Sequence, residues 1–388
     1  MVRPQSVLVV LACILWGSPF AQAGDPAPAS RITFVSHRSG ENLLYVMNPD
    51  GTGLRPIFGG PLADVPTVVE GTALCRSPHW TRQSPDHRYF ACWAYDRGSP
   101  FDRYQGSVRF MLYAGGIDAA WSRVVNPDSH EEFAWSPDSR RLAFSIFSGE
   151  SHQQGFLRSS LRSTEIAICG FDGSQESFIL EQPGILIVMD WSPDGKRLLL
   201  ERRYLDVSPH RPNDILQFEL AEDQASRARS RGNNGPLRGS AWSATTAPQF
   251  LKTLIEGTRH RDPNNARYSP DGRFLAIEFT DQDKMYAPNE LGENEFERNN
   301  MMRYLGKLAV FEIATGRFTA IVDDADGLRG PVTWSPDGNE ILFSRHLPKG
   351  DDREKMAKDK EHGLAIWSVH KDGRGARFVT TGWSPDWR

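Results

Sequence analysis

Cysteine is scarce in this sequence, and so are long apolar runs and blocks of one charge sign. Four cysteines in 388 residues do not make a disulfide scaffold, so hydrophobic burial has to hold the fold. Cys13 falls in the leader described below, which leaves Cys75, Cys92 and Cys169. Either Cys75 and Cys92, which flank one predicted hairpin, pair with each other, or all three are small core residues. After residue 23 no segment approaches the roughly 18 to 20 apolar residues of a membrane-crossing helix, so no transmembrane anchor is expected. The formal charge is −4, spread without long runs. Nucleic acid is excluded as an expected partner on that ground, because it calls for a basic face.

Catalytic signatures are missing as well. There is no Gly-x-Ser-x-Gly nucleophile elbow, no His-Glu-x-x-His helix, no phosphate-binding Gly-rich loop and no paired-cysteine metal site. Asp50-Gly51, Asp172-Gly173 and Asp372-Gly373 lack the spaced carboxylates of a calcium loop, and turn chemistry accounts for them. The sequence therefore predicts neither an enzyme active site nor a cofactor.

What is present begins with a leader. Arg3, an apolar run over 7–16 and Ala21-Gln22-Ala23 read as a signal peptide over residues 1–23. A chain exported to the periplasm or beyond is expected, starting near Gly24 and forming one domain over 24–388.

A repeat runs through that domain. Trp135-Ser136-Pro137-Asp138, Trp191-Ser192-Pro193-Asp194-Gly195, Trp334-Ser335-Pro336-Asp337-Gly338 and Trp383-Ser384-Pro385-Asp386 carry one motif. Tyr268-Ser269-Pro270-Asp271-Gly272 varies it, and Gln83-Ser84-Pro85-Asp86-His87, with Trp80 upstream, is a weaker copy. Strand-forming runs follow the internal copies at 89–95, 141–147, 197–202, 274–279 and 340–344. Each unit reads as strand, tight turn, strand: Pro presets φ, Asp bonds its own backbone, and Gly accepts positive φ. A second hairpin closes most units, as at Asn48-Pro49-Asp50-Gly51 or Thr315-Gly316. Four antiparallel strands per unit make a propeller blade.

The blade count closes on itself. The domain starts at Arg31 with the second strand of a unit and ends over 383–388 with a lone first strand. The fold class expected is all-β: a six-bladed propeller whose first blade is split between residues 31–58 and 383–388, so that no sheet edge is exposed there. At these residues the chain resembles the propeller of the TolB family, whose repeats carry a similar Trp-Ser-Pro-Asp-Gly turn and a Met-Asn-x-Asp-Gly-like hairpin. Tyr45-Val46-Met47-Asn48-Pro49-Asp50-Gly51 is the closest local match. The TolB family also carries an α/β domain before its propeller, and here the repeats begin within a few residues of the expected cleavage site.

Strand connections alternate between the two faces of a propeller, so loop length can be sorted by face. The first-to-second and most third-to-fourth connections are tight turns on one face. The second-to-third connections, at 96–106, 148–163, 203–213, 281–306 and 346–363, are long and gather on the other, where binding is expected. One long basic segment, 223–247, belongs to the tight-turn face.

Residues at strand ends on the decorated face are the candidate binding set: His37, Arg38, Asp96, Arg97, Arg202, Arg203, Asp281, Arg345 and His346, with His260 in a link between blades. His79, Asp190 and Arg267 each precede a first-strand aromatic and are candidates for the channel wall. For every one of them a structural ion pair between blades is the competing reading. An envelope or secreted protein, or a polar small ligand, is the expected partner. The enzymatic alternative resembles oligogalacturonate lyases, propellers with similar repeats that hold a metal at the channel mouth. It would place a divalent metal among His37, His260 and His346.

Overall fold

The computed structural model describes residues 30–388 apart from 41, 60–74, 98–109, 117–120, 126–128, 149–162, 175–176, 205–210, 221–249, 286–303, 327–330 and 347–363. The expected signal peptide, the basic segment 223–247 and most of the long loops lie outside the described residues.

The described strands form six four-stranded antiparallel sheets. Blade 1 contains Trp383–Trp387, Ile32–Ser36, Leu43–Met47 and Arg55–Gly59, in that order. Blade 2 runs Cys75–Gln83, Tyr89–Arg97, Phe110–Gly116, Trp121–Val125, and blade 3 runs Ser129–Trp135, Arg141–Ser148, Ser163–Gly170, Ser177–Pro183. Blade 4 has Ile185–Trp191, Arg197–Arg203, Asp214–Glu219, Leu251–Ile255; blade 5 has Asp262–Tyr268, Phe274–Met285, Tyr304–Glu312, Arg317–Asp326. Blade 6 ends the series with Thr333–Trp334, Glu340–His346, Leu364–His370 and Arg377–Thr381. The first strand of every blade touches the first strands of both neighbours, and these contacts close a ring around an axis.

The repeated turn is built from its own side chains. In blade 4 the Ser192 hydroxyl donates to Asp194 Oδ1 (2.6 Å) and accepts the Arg197 N–H (2.9 Å), while Asp194 Oδ1 accepts the Lys196 N–H (3.0 Å). Burial works against the Asp194 carboxylate, but the Ser192 hydroxyl, the Lys196 N–H and Arg197 outweigh it and hold its pKa at about 2. The same Ser–Asp bond recurs at Ser84, Ser136, Ser269 and Ser335. The next position takes positive φ in every copy: Gly195, Gly272 and Gly338, but His87 and Ser139 in blades 2 and 3. Gly195→Ala should therefore cost about 1 kcal/mol in denaturant unfolding through backbone strain alone, since an added Cβ would meet nothing nearer than Pro137 Cγ at 3.9 Å.

Packing between blades supplies the core. Trp135 sits among Ala91, Trp93 and Leu112 of blade 2, Trp191 among blade 3, Tyr268 among blade 4 and Trp334 among blade 5. The motif aromatic is thus the tooth that each blade sets into the one before it.

The structure corrects one expectation, decides one open alternative and moves one strand boundary. Trp383-Ser384-Pro385-Asp386 repeats the letters of the motif but not its geometry: it lies inside a strand paired with Ile32–Ser36, with a bulge and positive φ at Ser384. The residue at the aromatic position is Trp387, because Trp387 pairs with Ile32 as Trp191 pairs with Leu198. Cys92 does not bond Cys75. It lies opposite Thr81, six residues further along the strand from Cys75 and about 20 Å away at strand rise, and both Cys92 and Cys169 are buried thiols. In addition, Asp281, expected to open a loop, is still within the strand Phe274–Met285.

Candidate functional site

The strand position just before the aromatic supplies one residue per blade to the axis: Arg82, Ala134, Asp190, Arg267, Thr333 and Asp386. Where this residue is an oxygen acceptor, it takes the N–H of the next blade's inner strand. Asp190 Oδ2 accepts the Tyr268 N–H (2.9 Å), Asp386 Oδ2 the Gln83 N–H (2.5 Å) and Thr333 Oγ1 the Trp387 N–H (3.2 Å). Where it is arginine, its carbonyl accepts the next blade's indole N–H: Trp135 to Arg82 and Trp334 to Arg267, each 3.2 Å.

Those two arginine side chains converge on Glu132 of blade 3. Glu132 Oε2 accepts Arg82 Nη2 (3.0 Å) and Arg267 Nη2 (2.7 Å), and all three side chains are 4% exposed. Arg82 Nη2 also donates to the Met189 carbonyl and Arg267 Nη1 to the Ala266 carbonyl. Blades 2, 3 and 5 are tied across the axis by one carboxylate. Burial raises the Asp190 pKa, while Arg388, Arg82 and the Tyr268 N–H oppose the rise.

The decorated face shows a second polar cluster, between blades 4 and 5. Glu201 Oε1 accepts Arg203 Nε (2.5 Å) and Asn213 Nδ2 (3.2 Å), and Asp262 accepts the Asn213 N–H (2.8 Å). Tyr204 donates to Asp214 (2.6 Å) and carries the Arg211 guanidinium 3.9 Å from its ring. A bulge between Asn264 and Arg267 turns Asn265 to φ 46°, where its amide reaches Glu278 (2.6 Å).

Of the residues singled out from sequence, Arg267 and Asp190 lie buried on the first strands of their blades. Arg38 is sandwiched against Phe34 and Tyr45 and donates to Thr380 and the Thr381 carbonyl, bracing blade 1 on blade 6. His37 Nδ1 is 3.0 Å from Asn42 Oδ1, Arg202 bonds Tyr204, Arg203 bonds Glu201, and Arg345 lies 3.9 Å from the Trp367 ring. His260 is exposed in the turn linking blades 4 and 5. His79, Asp96, Arg97, Asp281 and His346 take their places in strands, but their side chains lie outside the described residues. No group of three His, Cys, Asp or Glu side chains placed to hold a metal occurs among the described residues.

Sequence reasoning missed Arg82, Glu132 and Asp386. Counting back from Ser84 instead of Trp80 would have picked Arg82 over His79, because Gln83 fills the aromatic position of blade 2.

No family model matches the chain, and no curated protein does. Solved structures do match. TolB from Acinetobacter baumannii superposes with a TM-score of 0.55 at 15% identity over 92% of this chain. The fold is a TolB-like six-bladed propeller. This chain spans 66% of the length of that TolB. Weaker likenesses are the tricorn protease, with a TM-score of 0.49 at 13% identity over 93% of this chain and 30% of that one, and an oligogalacturonate lyase in complex with manganese, at 0.46 and 10% over 91% and 74%.

Proposed function

We propose that this TolB-like propeller is an exported binding scaffold that recognises a polar surface of another envelope or secreted protein with its decorated face. The observation that carries the reading is the state of the axis: Arg82, Glu132 and Arg267 are buried against one another, so the charged groups at that level serve the ring itself. Recognition then belongs to the outer, loop-bearing surface, on the rigid support of six blades. A polar partner fits, because Leu54 is the one exposed large apolar side chain among the described residues. Among the described residues no helix is long and apolar enough to cross a membrane.

The test is to capture partners from an envelope extract on the immobilised chain and then measure the affinity of the purified pair. Arg211→Glu with His260→Glu alters the decorated face; Arg140→Glu with Arg273→Glu alters the tight-turn face. The first pair should weaken binding about tenfold or more, the equivalent of about 1.4 kcal/mol, and the second should leave it unchanged. The opposite ranking would move the site to the other face.

A further inference from the structure

We propose that the seam where blade 1 closes against blade 2 is an acid-sensitive latch, with His87 governing how firmly the closing strand Trp383–Trp387 is held. His87 stands where blades 4, 5 and 6 have glycine, at φ 61°. It lies against the end of the closing strand, bonded to the Arg388 backbone, and its Nδ1 is buried with no hydrogen-bond partner. The charged groups facing it are Asp86 on its own turn and Asp386 and Arg388 on the closing strand. The adjoining turn of blade 3 contributes the neutral Ser139, whose hydroxyl accepts the Asp86 N–H at 2.9 Å.

The seam around it is poorly satisfied. Thr33 Oγ1, Thr81 Oγ1, Gln83 Oε1 and Arg388 Nε are buried without a hydrogen-bond partner, Arg388 Nε having only the Asp386 carboxylate at 3.9 Å as an ion-pair neighbour. All four belong to the closing strand's end or to chain beside it: Thr33 lies opposite Asp386, and the Thr81 and Gln83 N–H groups bond Ser384 and Asp386. Buried polar groups left unmatched weaken the element that buries them. The closing strand therefore opens more readily than the inner strands of the other blades.

Protonation acts on this weak point in one direction. Burial and the Arg388 charge push the His87 pKa below 6.5, and Asp86, Asp386 and the Arg388 carbonyl only partly offset them. With the closed-state pKa depressed, the opened seam binds the proton more strongly, so closure is favoured at neutral pH and loses ground as pH falls through the usual histidine range.

Hydrogen exchange read by mass spectrometry on the full chain, corrected for intrinsic rates, tests this at pH 7.5 and pH 5. Protection of 383–387, relative to Ile185–Trp191 as an internal standard, should fall in the parent from pH 7.5 to pH 5. It should stay constant in His87→Asn, which tolerates positive φ without titrating, and in His87→Gly, which restores the turn residue of the other blades. An equal fall in both variants, or no fall in the parent, overturns the proposal.

Discussion

Replacing Glu132 by alanine should destabilise the protein by about 3–5 kcal/mol, the loss typical of breaking a buried ion pair by removing one partner. Glu132 Oε2 is the shared acceptor of two guanidinium groups from blades 2 and 5, and all three side chains are 4% exposed. Without it Arg82 keeps a bond to the Met189 carbonyl and Arg267 one to the Ala266 carbonyl, but two positive charges stay in a site with little water to solvate them. Glu132→Gln keeps an acceptor while losing the charge, so its cost should fall between that of Ala and zero. The triple change Arg82→Met, Glu132→Leu and Arg267→Met should be far milder than Glu132→Ala alone, because it removes the charges along with their pairing. Urea unfolding at pH 7 reads all three. A cost below about 1 kcal/mol for Glu132→Ala would match an exposed pair and contradict the burial described.

The blade count, the split blade and the tight turns were legible because each is local. Ser-Pro-Asp fixes a hairpin within six residues, and five hairpins of one kind at long spacing leave little choice of architecture. The lone first strand over 383–388 was legible as well, although its Trp383-Ser384-Pro385-Asp386 letters do not form the motif's turn. The letters that make a turn elsewhere are pulled into a strand by pairing with Ile32–Ser36, a partner some 350 residues away. The axis was harder to read. Spacing from the turn indicates that Arg267 and Asp190 face inward, but not that Arg267 and Arg82 meet on one carboxylate of a third blade. Glu132 is further hidden by the bulge between His130 and Phe133, which breaks the alternation that would have pointed to it. On the decorated face several chosen residues are braces: Arg38 bonds the neighbouring blade and Arg203 a carboxylate of its own strand, as a long side chain at a strand end often does.

Deleting residues 383–388 should abolish cooperative folding, a larger effect than any single substitution. The deletion bares the edge of Ile32–Ser36, where Phe34 and Val35 are fully buried, and an apolar edge strand invites aggregation. It also strips the Gln83 N–H of Asp386 and Thr333 of its partners on the closing strand. A circular permutant separates loss of the strand from loss of the ring. The Arg31 N–H bonds the Arg388 carbonyl at 2.9 Å and the Arg388 N–H the Arg31 carbonyl at 3.3 Å, the latter matching the Ser192–Arg197 bond that frames the blade 4 turn. Joining 388 to 31 through a copy of Pro193-Asp194-Gly195-Lys196 would build a sixth turn, with new ends at the exposed Thr315-Gly316 turn. The permutant should unfold cooperatively, at a midpoint at or above the parent's, because covalent closure lowers the entropy gained when the seam opens. Light scattering and denaturant curves on both chains decide it. If the truncated chain stays monomeric and cooperative, the closing strand contributes little to holding the ring; if the permutant fails to fold, Arg388 and Arg31 do not occupy equivalent turn positions.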